Sequence, residues 1–284
     1  MTTTYAADAL ENQTVAGPSA VFTYRRTGPQ GGVPLVLLMR FRGTIDWWDP
    51  EFIDRLSADR DVIVFDNVGI GYTDGEPRDS AEGFADGAIE FIDALGLGEV
   101  DLLGWSLGAI VAQLVALRRP DLVHKVIVAG SSAPGVAPDT PGLSERVLAI
   151  MANPDPGPDD LLYLFYPETD AARAAGLQHL AKVSKRLEAG GPAVTDDAAG
   201  GQLAAVANLL AAGWEQVSSQ LRSISQPVLC ANGMHDVMIP ALASFKAVEQ
   251  VPDSTLVLYG DAGHAFLFQH IDPFVAQVNQ FLAH

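Results

Sequence analysis

Short apolar runs of strand length alternate along this chain with longer segments of helical spacing, and no other feature restricts its fold as strongly. The runs at residues 35–39, 62–65, 100–103, 126–129, 228–231 and 255–259 are bounded by turn residues. Residues 82–95, 107–118, 241–249 and 273–283 carry apolar side chains at helical spacing. This alternation predicts an α/β fold, a mostly parallel sheet with helices on both faces. Several runs contain no polar residue and are expected to be buried on both faces, whereas residues 21–26 alternate apolar with polar, as an antiparallel edge strand does.

The rhythm breaks once. Between Ala133 and Gln226 no convincing strand occurs. The segment opens on Pro134, Pro138 and Pro141, then continues with helical spacing at 143–151, 159–165, 171–188 and 198–221. A structureless loop of that length is uncommon in a compact domain. Residues 133–226 are therefore expected to form a helical cap inserted after the sixth strand, over the C-terminal edge of the sheet where open α/β folds bind ligands. Residues 1–132 and 227–284 are left as the core domain.

Composition narrows the partners. Seventeen Lys and Arg face 35 Asp and Glu, a formal net charge of −18 over 284 residues, so nucleic acid and anionic membrane surfaces are poor partners. The single cysteine, Cys230, lies in an apolar run and reads as an inert buried thiol. Neither a basic leader nor an apolar run of membrane-spanning length is present, which predicts a cytoplasmic protein. Histidine and cysteine spacings do not suggest a metal site, and the glycine-rich turns have neither a P-loop lysine nor a dinucleotide fingerprint, so no cofactor is expected. A small molecule is the expected partner, and a homodimer is compatible with the sequence.

The chemistry centres on Gly104-Trp105-Ser106-Leu107-Gly108, which directly follows one strand run and opens a helix. A tight turn can hold a strained serine at its apex if glycines on both sides let strand and helix approach without Cβ clashes. The helix N-terminus then sets the Leu107 amide beside the serine oxygen, where it can stabilise an oxyanion. Ser106 is the candidate nucleophile; the plain alternative is a serine that only caps a helix. Of the six histidines, His264 follows the last strand run at the same sheet edge and is the candidate base. His270 lies further along, and His124, His179 and the terminal His284 read as structural or solvated. The acid must come from another strand end, where Asp236 is available after residues 228–231. Its plain alternative is a turn-forming aspartate.

With these residues in place, the sequence from about residue 21 onward resembles the α/β-hydrolase superfamily. The elbow at residues 104–108, the turn Asp66-Asn67-Val68-Gly69-Ile70-Gly71-Tyr72-Thr73, the acid loop at 233–236 and Ala262-Gly263-His264 carry the resemblance. It implies a mostly parallel eight-stranded sheet with a cap after the sixth strand. It also implies a Ser106–His264–Asp236 triad acting on a small, partly apolar ester, thioester or lactone. C–C bond hydrolases, cofactor-free perhydrolases and hydroxynitrile lyases resembling this superfamily share the triad, and some plant hormone receptors use the fold for binding alone. Haloalkane dehalogenases and epoxide hydrolases differ, having an aspartate where Ser106 stands.

One departure from the family is expected to matter. Where relatives usually carry His-Gly after the first long parallel strand, this chain has Met39-Arg40-Phe41-Arg42-Gly43. The second oxyanion amide is assigned to Arg42, with Phe41 as the choice if the loop is shifted by one residue. In so acidic a chain the Arg40 and Arg42 guanidiniums are expected to neutralise neighbours such as Asp46 or Asp66, the alternative being a clamp on a substrate carboxylate. Phe41, Trp105, Phe165, Trp214, Met238 and Phe266 are the candidate substrate-lining residues.

Overall fold

The computed structural model describes residues 4–283. The expectation for His284 therefore lies outside the described residues. Eight strands form one sheet in the order β1-β2-β4-β3-β5-β6-β7-β8. They are β1 (Gln13–Ala16), β2 (Val21–Thr27), β3 (Leu35–Leu38), β4 (Val62–Phe65), β5 (Val100–Trp105), β6 (Val123–Ala129), β7 (Val228–Gly233) and β8 (Ser254–Tyr259). β2 pairs antiparallel with β1 and β4, and every later pairing is parallel.

Strand alternation sorts the apolar side chains onto two faces. Val36, Ile63, Leu102 and Val128 join the cluster beneath α2 (Ala81–Ala94) and α3 (Leu107–Arg118). Leu37, Val64, Leu103 and Ile127 join the opposite cluster with α1 (Pro50–Ser57) and α11 (Ile271–Leu282). The central strands β3 to β5 are buried throughout, as their apolar composition requires. β8, at the sheet edge, is not. Burial pushes the Cys230 thiol up to about 12, fitting an inert thiol.

Between β6 and β7 the chain forms five helices: α4 (Glu145–Ala152), α5 (Pro158–Phe165), α6 (Asp170–Glu188), α7 (Asp196–Ala211) and α8 (Trp214–Leu221). The helical spacing at 198–221 thus covers two helices, which break at Ala212 and Gly213. α6 is tied to α1 through a buried carboxylate. Asp49 caps α1 by accepting from the Glu51 amide at 2.9 Å, and it also meets His179 Nδ1 at 3.1 Å and Lys182 Nζ at 2.9 Å. α9 (Ala241–Val248) and the short α10 (Phe266–Gln269) complete the helices. Among the described residues, no helix is long and apolar enough to cross a membrane.

The turn after β4 carries a second buried acid. Asp66 accepts from the amides of Ile45 at 2.8 Å and Tyr72 at 3.0 Å. Gly71 closes over it with φ 55°, and a Cβ there would lie 2.3 Å from Asp66 Oδ2. Burial pushes the Asp66 carboxyl up to about 7 against the opposing pull of the two amides. The folded value lies above the unfolded one of roughly 3.9, so the folded state holds the extra proton between those limits. Its contribution to stability is full below about pH 4 and is lost as pH rises through 7, at no more than ~1.4 kcal/mol per pH unit. Unfolding free energies of wild type and Asp66→Asn, compared from pH 4 to 8, should show the wild type losing ground as pH rises. A constant difference would contradict this assignment.

Candidate active site

Ser106 stands at the end of β5 with φ 57° and ψ −118°, a conformation that costs a non-glycine residue of order 1–3 kcal/mol. Two close approaches hold it there. A Cβ on Gly104 would lie 2.3 Å from Ala109 Cα, and one on Gly108 would lie 2.1 Å from the Leu38 carbonyl oxygen. Only hydrogens at these positions let α3 pack down onto β3 and β5. Ser106 stands at the N-cap of α3, but its side chain makes no capping bond there.

His264 and Asp236 arrive from the loops after β8 and β7. A Cβ on Gly233 would lie 2.3 Å from the carbonyl oxygens of both Ala262 and Gly263, so glycine is needed for the two loops to meet. His264 Nδ1 lies 2.7 Å from Asp236 Oδ2. The other carboxylate oxygen of Asp236 accepts from the amides of Met238 at 2.8 Å and Ile239 at 2.9 Å. Asp236 thus serves both as a turn former and as the partner of His264. The His264 carbonyl accepts from Trp105 Nε1 at 3.0 Å, and the Phe165 ring stacks on the imidazole with centroids 5.9 Å apart. His264 Nε2 is buried and has no hydrogen-bond partner among the described residues. His124 pairs with Asp101, His179 with Asp49 and His270 with Asp261, all away from Ser106.

Two chambers meet at Ser106. The larger, about 160 Å³, is mainly aliphatic, with Leu143, Met151, Val206, Leu209 and Leu210 supplied from the β6–β7 segment. The smaller, about 40 Å³, is lined by Ser106, His264, Arg40, Arg42, Phe165 and apolar neighbours. Phe41 and Met238 border both chambers.

Three expectations for the lining need correction. Trp105 is fully buried behind the serine, against Trp48, Phe165 and Phe268, because consecutive residues at a strand end point to opposite faces. Phe266 packs into the core against Tyr259 and Phe274. Trp214 packs against the core cluster under α2 and α3. None of the three lines either chamber.

The oxyanion assignment also shifts. Arg42, in the left-handed region at φ 53°, donates its amide to Gln202 Oε1 of α7 at 2.9 Å and is therefore occupied. Among the described residues the Phe41 amide has no hydrogen-bond partner, and Phe41 borders the chambers beside Ser106 and Leu107. The expected neutralisation of Asp46 and Asp66 by Arg40 and Arg42 is not found either. Asp46 pairs with Arg25 at 2.7 Å, and Asp66 is held by backbone amides. Arg40 is instead buried among aromatic rings, and that burial pushes its guanidinium down to about 9. No group of three or more His, Cys, Asp or Glu side chains among the described residues is placed to hold a metal ion.

Fold and sequence agree on the class. Residues 33–271 match the family model for the α/β hydrolase fold, and the chain belongs to that family. Among relatives, a 2-hydroxymuconate semialdehyde hydrolase of Pseudomonas putida is 28% identical over 248 residues, covering 81% of this chain and 79% of that protein. A poly(3-hydroxyalkanoate) depolymerase of Ectopseudomonas oleovorans is 26% identical over 285 residues, covering 96% of this chain and 90% of that protein. Among solved structures, an α/β hydrolase fold protein from Chitinophaga pinensis matches with a TM-score of 0.86 at 30% identity, covering 97% of this chain and 98% of that one.

Proposed function

We propose that this chain is a serine hydrolase that cleaves a small, partly apolar ester, thioester or lactone through an acyl-enzyme intermediate. The observation that carries the reading is the state of His264. One ring nitrogen is bonded to Asp236, and the other is buried without a partner in the chamber it shares with strained Ser106. A base oriented on one side and open on the other is what a serine hydroxyl needs in order to attack.

In this mechanism Ser106 Oγ attacks the carbonyl carbon and its proton passes to His264 Nε2. Asp236 stabilises the imidazolium through Nδ1–H. The Leu107 and Phe41 amides receive the oxyanion. Collapse of the tetrahedral intermediate expels the alcohol or thiol, which takes the proton from Nε2, and water then releases the acyl group by the same relay. Residues 133–226 act as a cap that roofs the larger chamber and controls entry. The aliphatic lining of that chamber suits an apolar acyl or alkyl group.

A series of p-nitrophenyl esters from acetate to decanoate tests this. kcat/KM should rise from acetate to a medium chain as methylenes enter the larger chamber, by up to about tenfold for each two groups buried, and then fall. Absence of turnover above a Ser106→Ala control would count against hydrolysis. A single slow turnover accompanied by a thermal shift would indicate a receptor.

A further inference from the structure

Arg40 is the anomaly of this molecule. The chain carries 35 acidic residues against 17 basic ones, and other arginines find carboxylates readily: Arg25 meets Asp46 at 2.7 Å, Arg26 meets Asp61 at 2.6 Å, and Arg119 meets Asp93 at 3.0 Å. Arg40, only 6% exposed, has no carboxylate within ion-pair distance among the described residues. A guanidinium offers five N–H donors in a fixed fork. Here Nη1 donates to the Phe41 carbonyl at 2.6 Å, while Nε is buried and unpartnered.

Three rings surround the group, with the guanidinium carbon 4.6 Å from the Trp47 centroid, 4.9 Å from Phe165 and 5.4 Å from Trp105. Such contacts are attractive and fix the plane of the fork. They supply no acceptor for the remaining N–H groups, and a buried charge left unpaired is strongly unfavourable. On the same chamber, Arg42 Nε is also buried without a partner. The chamber is therefore rich in unused donors, lacks a carboxylate of its own, and is walled by Ile150, Leu161 and Leu164. The chemical complement of such a wall is a small planar anion.

We propose that the small chamber beside Ser106 is a carboxylate subsite, in which Arg40 receives an anionic group of the substrate at the forked face of its guanidinium. The proposal rests on the hydrolase reading and specifies its substrate class. The scissile ester, thioester or lactone carries a free carboxylate that enters the small chamber, and its apolar portion occupies the larger one.

Two matched esters, phenyl butyrate and monophenyl glutarate, test the subsite. Wild type should cleave the glutarate monoester with kcat/KM at least tenfold above the butyrate ester. In Arg40→Met the ratio of the two values should fall ten- to a hundredfold, with Arg40→Lys intermediate. Calorimetric titration of Ser106→Ala with monophenyl glutarate should show binding that weakens at least tenfold in the Ser106→Ala, Arg40→Met double variant. If the Arg40 variants fail to fold, the wild-type preference alone decides. Turnover of both esters without a preference for the anionic one would overturn the subsite and leave the hydrolase reading standing. Arg40-dependent binding without turnover of either ester would overturn the hydrolase reading and leave the subsite standing.

Discussion

Ser106→Ala is expected to lower kcat for ester substrates by roughly five to six powers of ten while leaving the protein folded. The hydroxyl does not cap α3 and the side chain is half-buried, so its loss removes chemistry and little packing. The strained backbone remains with alanine, and the melting temperature should stay within about 2 °C of wild type. His264→Ala should lose nearly as much activity. The double variant should be little worse than either single one, because a nucleophile without its base and a base without its nucleophile are equally idle. Independent, multiplying losses would mean that the two residues do not act as one unit.

Gly108→Ala should produce a large loss of stability from a single added carbon. The new Cβ would lie 2.1 Å from the Leu38 carbonyl oxygen and 2.5 Å from its carbon, both backbone atoms of β3. Either α3 must lift from the sheet or β3 must move, and the loop bearing Arg40 and Phe41 follows β3 directly. Overpacking of this kind costs about 3 kcal/mol or more, read as a lower midpoint in urea or heat, and activity should fall with it. Gly200→Ala is the contrasting control. It lies in α7 with no atom within 4 Å of the new Cβ, and should stabilise by roughly 0.5–1 kcal/mol. Equal effects at the two positions would show that the elbow is not held by close packing.

Parts of the molecule dictated by local chemistry were legible in the sequence. The helix expected at 107–118 is the α3 observed, because a serine turn with flanking glycines marks its start and the apolar run defines its length. The break between β6 and β7 was equally plain from its prolines. β1 has no sequence signature of its own: Gln13–Ala16 is short and mostly exposed, a strand only by virtue of its partner β2. α1 is absent from the helices expected from spacing, although Asp49-Pro50 forms a good helix start.

The site divides along the same line. The meeting of Ser106 and His264 on one chamber, with Asp236 bonded to His264, follows from chain position, since these strand ends lie at one sheet edge. The chamber lining could not be read in this way. Sequence proximity favoured Trp105 and Phe266, yet strand alternation and helix packing turn both into the core, and aliphatic residues of α4 and α7, distant in sequence, form the wall. Arg40 departs from expectation for a related reason. Charge counting predicts a local acid, but Arg25 reaches Asp46 from another strand and leaves Arg40 alone among rings. The Gln202 contact that occupies the Arg42 amide spans 160 residues of chain and has no local signature.

Reaction of the wild-type protein with a fluorophosphonate, followed by peptide mapping, probes the nucleophile at Ser106 without regard to substrate. One covalent adduct is expected, on Ser106, formed rapidly in wild type and slowed by several powers of ten in His264→Ala. An adduct on another residue, or no adduct with a folded protein and an accessible reagent, would contradict it.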